Sequence, residues 1–153
     1  MTLEALFTLA NASVMPAWLL LAVVPGSRWT GWIVHSLLYP ALLGSLYSVY
    51  TVTSFLGSAA PVGASFNSLP GVVALFAVPQ FAFIGWVHYL VFDLFVGAWE
   101  ARDARRRGIP HAVLLPCLFF TLMLGPLGLL LYLAIRFAMR RQTGLGEDEI
   151  AAH

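Results

Sequence analysis

Asp93 lies within the largely apolar stretch Val87 to Trp99, and Glu100 directly follows it. Seven residues make almost two helical turns, so in a helix the two carboxyls share a face. Gly97 lies between them and leaves space for a ligand or a neighbouring helix. A carboxyl can give a proton to an oxygen or take one from carbon, and two on one face suit general acid/base work. His88 stands about 140° around the same helix from Asp93, by the 100° step of each residue. That angle prevents a direct bond, although both can line one cavity of a bundle.

Two further histidines lie near apolar stretches. His35 is followed one turn later by Tyr39, beside Pro40, and His111 opens the last apolar run. With Asp93 they suffice in number for a non-haem iron centre, which gathers His and carboxylate ligands around open positions. The candidate ligands of such a centre are His35, His88, His111 and Asp93. No HxxxH or HxxE pair fixes two of them on one helix, so no metal or other cofactor is expected, and iron stays the alternative. The lone Cys117 excludes an internal disulfide and a Cys-rich metal site. A phosphate loop, a dinucleotide fingerprint and a nucleophile elbow are all missing.

Each of these residues has a plainer role open to it. Asp93 can be half of an ion pair. Glu100 can bridge to Arg102 or Arg136 near the interface. The three histidines can be packing residues, and Trp18, Trp29, Trp32, Trp99 and Tyr132 fit an aromatic belt. The run from Arg102 to Arg107 reads as a topology anchor that attracts anionic lipid.

The elements that must hold these groups are set by composition. Of 153 residues, 60% are hydrophobic and only 10% charged, with a mean hydropathy of +0.85. A soluble domain carries about 25% charged residues, so this is an all-α polytopic membrane protein. Backbone polar groups must be satisfied internally in lipid, which favours helices, and the alternation of a barrel strand is absent. A span needs about 20 apolar residues, and four stretches qualify, at about 3–24, 29–55, 74–100 and 111–136. They form one membrane domain, 1–142, a compact bundle of four transmembrane helices, followed by a polar, flexible tail, 143–153. Pro40 is expected to kink the second span, and Pro116 and Gly125-Pro126 interrupt the fourth.

The first stretch lacks the basic start of a signal peptide and is read as a retained span. A net charge of +1 gives no footprint for nucleic acid. Counting four crossings, loops one and three carry five arginines and the other side three. The positive-inside rule then turns both termini away from the cytoplasm.

Asp93 also lies deep. It precedes Arg102 by nine residues, roughly 13 Å of helix, and charge at depth marks function by default.

Two strings carry a resemblance: the third stretch, Gly85 to Trp99, with its His88-Tyr89-Leu90-Val91-Phe92-Asp93-Leu94-Phe95-Val96-Gly97, and the fourth, with Gly125-Pro126-Leu127-Gly128-Leu129-Leu130-Leu131-Tyr132. With Ser68-Leu69, Gly71-Val72 and Leu75-Phe76 they make the chain similar to the ABA4-like (abscisic-acid-deficient 4) family over residues 66–136. That family comprises four-helix integral membrane proteins of plastids, cyanobacteria and other bacteria. Its plant members are required for conversion of violaxanthin to neoxanthin, the opening of a carotenoid epoxide to an allenic alcohol. The resemblance implies carotenoid or related isoprenoid chemistry. With the first span beginning at Leu3, the expectation is a bacterial inner-membrane protein.

Epoxide opening or isomerisation needs an acid for the oxygen and a base for a carbon-bound proton. Asp93 is the candidate acid, with His88 or Glu100 as base. Tyr89 is placed to hold a terminal hydroxyl. Gly97, His35, Tyr39 and Trp86 are the other candidate substrate-binding residues, for a greasy guest between helices. The expected partners are that apolar isoprenoid, the lipid bilayer and, as an option, a second copy of the chain. Three alternatives stand beside the isomerising enzyme: a non-catalytic carotenoid binder or accessory protein, an iron-dependent carotenoid oxygenase, and a small transporter using Asp93 as an ion site.

Overall fold

The computed structural model describes residues 1–57 and 61–145. Most of the predicted tail, 146–153, lies outside the described residues. Among those described there are seven helices and no strand. They are α1 (Leu3–Val23), α2 (Arg28–Ile33), α3 (Leu38–Gly57), α4 (Leu69–Phe76), α5 (Pro79–Arg106), α6 (His111–Leu124) and α7 (Pro126–Arg140). Three stretches are long and apolar enough to cross a membrane: Leu3–Val23, Arg28–Gly57 and Pro79–Arg106.

The punctuation follows local chemistry. Ser27 caps α2, its hydroxyl accepting from the Thr30 amide at 3.1 Å, and Ser68 caps α4 through the Gly71 amide at 3.2 Å. A side-chain oxygen satisfies an amide that the first turn leaves without a partner. Pro40 does not kink a running helix. The break falls earlier, between α2 and α3, and Pro40 sits in the first turn of α3. Proline is tolerated there because its missing N–H would have no acceptor.

The largest departure is in the fourth predicted span. Gly125 adopts φ +48° and ψ −97° between α6 and α7. Proline at 126 steers the residue before it away from helical backbone, and glycine alone tolerates that conformation cheaply. The chain reverses, and α6 and α7 pack along each other. The Arg140 guanidinium at the end of α7 donates to the Gly108 carbonyl just before α6. The stretch 111–136 is thus a helical hairpin whose two feet meet, rather than one through helix. The termini-outside expectation counted it as a crossing and loses its basis.

The chain divides into two compact units: Met1–Pro16 with Ser36–Phe92, and Ala17–His35 with Asp93–His153. Helices α1 and α5 contribute to both. The first unit centres on Leu75, Phe81 and Ile84, with Tyr47, Tyr50 and Val78 against them. Phe76 lies against Gly85, where any added Cβ would meet its ring. In the second unit the rest of α5 runs beside the α6–α7 hairpin, and Trp18 of α1 lies over Gly97. Burial of such apolar side chains contributes about 25 cal/mol per Å² removed from water, less against lipid.

Candidate functional site

The second unit gathers both carboxyls of α5. Glu100 is fully buried, 0% exposed, and the Thr121 hydroxyl of α6 stands 3.0 and 3.1 Å from its two oxygens. Thr121 is fixed there by the hairpin: the turn at Gly125 lays Gly128 directly on the Thr121 backbone. Asp93, partly buried, is at the other end of the shared face, against the turn. A Cβ on Gly125 would come within 2.7 Å of its Oδ1. The carboxyl thus lies where the amide end of α7 begins, and a helix start favours negative charge.

A third acid of α5, Asp103, lies one turn beyond Glu100. Its Oδ1 accepts from Arg107 Nε at 2.8 Å, its Oδ2 accepts from the Tyr132 hydroxyl at 2.5 Å, and Arg136 Nε pairs with Oδ2 at 3.2 Å. Arg136 is 1% exposed. Arg107 also donates to the Gln142 side chain, and Arg136 to the Gly144 carbonyl. The segment after α7 is thereby tied to the network. Beside it lies an apolar slot of about 250 Å³ lined by Phe95, Val96, Trp99, Leu129, Leu133 and Leu145. On α5 the slot residues fall between the levels of Asp93 and Glu100.

The other predicted residues are distributed as follows. Gly97 is in the second unit, covered by Trp18, whose Cη2 would be 2.6 Å from an added Cβ. The space it opens is therefore filled by the chain's own indole. His35 Nδ1 receives Arg102 Nη1 at 3.0 Å, and His111 Nε2 donates to the Ala22 carbonyl at 2.8 Å. His88, Tyr89, Trp86 and Tyr39 are in the first unit. His88 is exposed, its ring against Phe92 and Tyr47 at 4.5 and 5.9 Å. Trp86 stacks on Tyr89 at 5.2 Å and donates to the Asn11 side chain at 3.1 Å. It also lines an apolar groove of about 510 Å³ with Leu3, Glu4, Phe7, Pro79, Ala82 and Phe83. The Tyr39 hydroxyl donates to the Ser13 carbonyl at 2.7 Å.

No three His, Cys, Asp or Glu side chains come together among the described residues. The residues present do not fit an iron centre.

Thr121, Asp103, Tyr132 and Gly125 were not singled out from sequence as site residues, and Arg136 only as a partner for Glu100. Signals existed: Tyr132 and Arg136 are four apart, hence on one face of a helix, and Asp103 follows Glu100 by one turn.

Among the described residues the chain is all-helical, with three stretches long and apolar enough to cross a membrane and with acids buried on one of them, an arrangement compatible with the class of polytopic membrane proteins. More closely, the chain belongs to the ABA4-like (ABA DEFICIENT 4-like) family, whose model matches residues 5–132. No curated protein and no solved structure matches it.

Proposed function

We propose that this is a membrane-embedded protein acting on a carotenoid or related isoprenoid by acid/base chemistry, with Asp93 as acid and Glu100 as base. The observation that carries this reading is the pair of carboxyls on one face of α5 with an apolar slot between their levels. Family membership supports the substrate class. The slot is smaller than a typical site for a whole drug-sized ligand, so it takes one end group of a long molecule and leaves the chain in lipid. His88 is the less favoured candidate for the base, because it belongs to the other unit. The Thr121 hydroxyl orients the Glu100 carboxyl and gives it a hydrogen-bond partner in an apolar setting.

A binding or accessory role is the second reading, and the complete burial of Glu100 favours it, since a base must reach its proton. Expression in a host that accumulates epoxidised carotenoids, with pigments resolved by chromatography and mass spectrometry, separates the two. A new isomer with the wild type that disappears in Asp93→Asn at equal membrane abundance supports the enzyme. Pigment that co-purifies unchanged supports the binder. A full product yield from Asp93→Asn removes the acid role.

A further inference from the structure

All eight arginines of the chain fall in the second unit, whereas the first unit carries a single charged side chain, Glu4. Within the second unit the structure sorts the arginines. Arg107 and Arg136 are buried on Asp103, and Arg102 reaches His35. Arg28, Arg105, Arg106, Arg140 and Arg141 are exposed. These come from three stretches of chain that meet. Arg105 lies by Gly26 of the turn between α1 and α2, and Arg140 holds Gly108. Trp29 and Trp32 stand exposed among them, and Arg28 lies 5.2 Å from the Trp29 ring centroid. Basic side chains mixed with exposed indoles are the signature of a headgroup layer.

The apex of the hairpin has the opposite character. Met123, Leu124 and Leu127, beside the turn, are exposed and apolar. Glycine amides of the turn are bonded internally: the Gly125 amide donates to the Thr121 carbonyl and the Gly128 amide to the Gly125 carbonyl, each at 3.0 Å. Internal bonds of this kind are what a turn in hydrocarbon requires. Fourteen residues of α6 span about 21 Å, short of the ~30 Å hydrocarbon core.

The geometry points to α6–α7 as a re-entrant hairpin that enters and leaves the membrane on one face, where the five exposed arginines meet anionic lipid headgroups of the cytoplasmic leaflet. The chain then makes three crossings, and its termini lie on opposite sides, the C-terminus in the cytoplasm. The inference rests on the membrane part of the proposed function and not on its acid/base chemistry, so pigment assays do not bear on it.

Single cysteines test the topology in intact cells and inverted vesicles with a membrane-impermeant maleimide, the native Cys117 being fully buried. Asn67→Cys, Pro110→Cys and Thr143→Cys place the label between α3 and α4, between α5 and α6, and after α7. Pro110→Cys and Thr143→Cys should label from the cytoplasmic side and Asn67→Cys from the other. Thr143→Cys labelling with Asn67→Cys would overturn the hairpin. For the lipid, native mass spectrometry of protein exchanged into mixed phosphatidylglycerol and phosphatidylcholine micelles should show preferential retention of phosphatidylglycerol. In R105Q/R106Q/R141Q that preference should fall on the order of tenfold or more, with labelling sides unchanged. Equal retention by wild type and variant, or displacement by millimolar inorganic phosphate, overturns the headgroup assignment. Release of the wild type from membranes by alkaline carbonate would instead remove the membrane reading itself.

Discussion

A hydroxyl shared between the two oxygens of one buried carboxyl is a small feature with a measurable consequence. The Thr121 hydroxyl hydrogen-bonds Glu100, and both residues are 0% exposed. Thr121→Val keeps the shape and removes the donor, so a buried acceptor loses its bond at a cost of about 1–3 kcal/mol. A lower midpoint of thermal unfolding in detergent is the expected readout, and an unchanged midpoint would mean that water replaces the hydroxyl. Asp103 faces a heavier demand, since it meets Arg107, Arg136 and Tyr132 at once. Asp103→Ala leaves two buried guanidiniums without their carboxylate, and the expected loss is about 3–5 kcal/mol. Asp103→Ala together with Arg136→Met should recover part of it, because one of the stranded charges is gone. The carboxyls were legible in the sequence as charges among apolar residues. Their partners were not, because Thr121 and Tyr132 are ordinary residues until the hairpin brings them to α5.

At the scale of elements, glycines decide where the chain reverses and how closely helices approach. Gly128 sits on the Thr121 backbone, where a Cβ would be 2.5 Å from the Thr121 Cα. Backbone yields little, so Gly128→Ala should pry α6 from α7. Gly44 of α3 has nothing within 4 Å of an added Cβ. Gly44→Ala should instead stabilise by about 0.5–1 kcal/mol, through the lower conformational entropy of the unfolded chain. Opposite shifts of the melting temperature in detergent are expected from these two substitutions. Similar shifts would show that helix propensity, not the close approach, governs both. The three long apolar stretches were readable from length, as was the stop of the first at Pro25-Gly26, but α5 runs past the expected end near residue 100 to Arg106. The hairpin was not readable, because Gly125-Pro126 is equally compatible with a kinked crossing. The Gly125 backbone, Gly128 against Thr121 and the partners at its feet, Arg140 with Gly108 and Arg107 with Gln142, distinguish the two.

For the whole molecule, three stretches long and apolar enough to cross a membrane and a unit that holds every arginine lead to one expectation that can be checked simply. The protein should stay in the membrane fraction after alkaline carbonate, which strips peripheral proteins, and need detergent for release. Recovery in the wash would contradict it. The apolar side chains exposed on α1, α3 and α5, among them Leu19, Val49, Val52, Phe92 and Phe95, have lipid as their solvent in that picture.

Composition and apolar length by themselves determined a helical chain, three stretches apolar enough to cross a membrane and the acids of α5, since burying charge is costly wherever it falls and long apolar runs have few other uses. Motif strings were enough for the family. The tertiary structure alone decided that the last stretch doubles back, which acid meets which partner, and which arginines remain outside. Those outcomes depend on one glycine conformation and on contacts between residues distant in the chain, and helical periodicity carries no information about either.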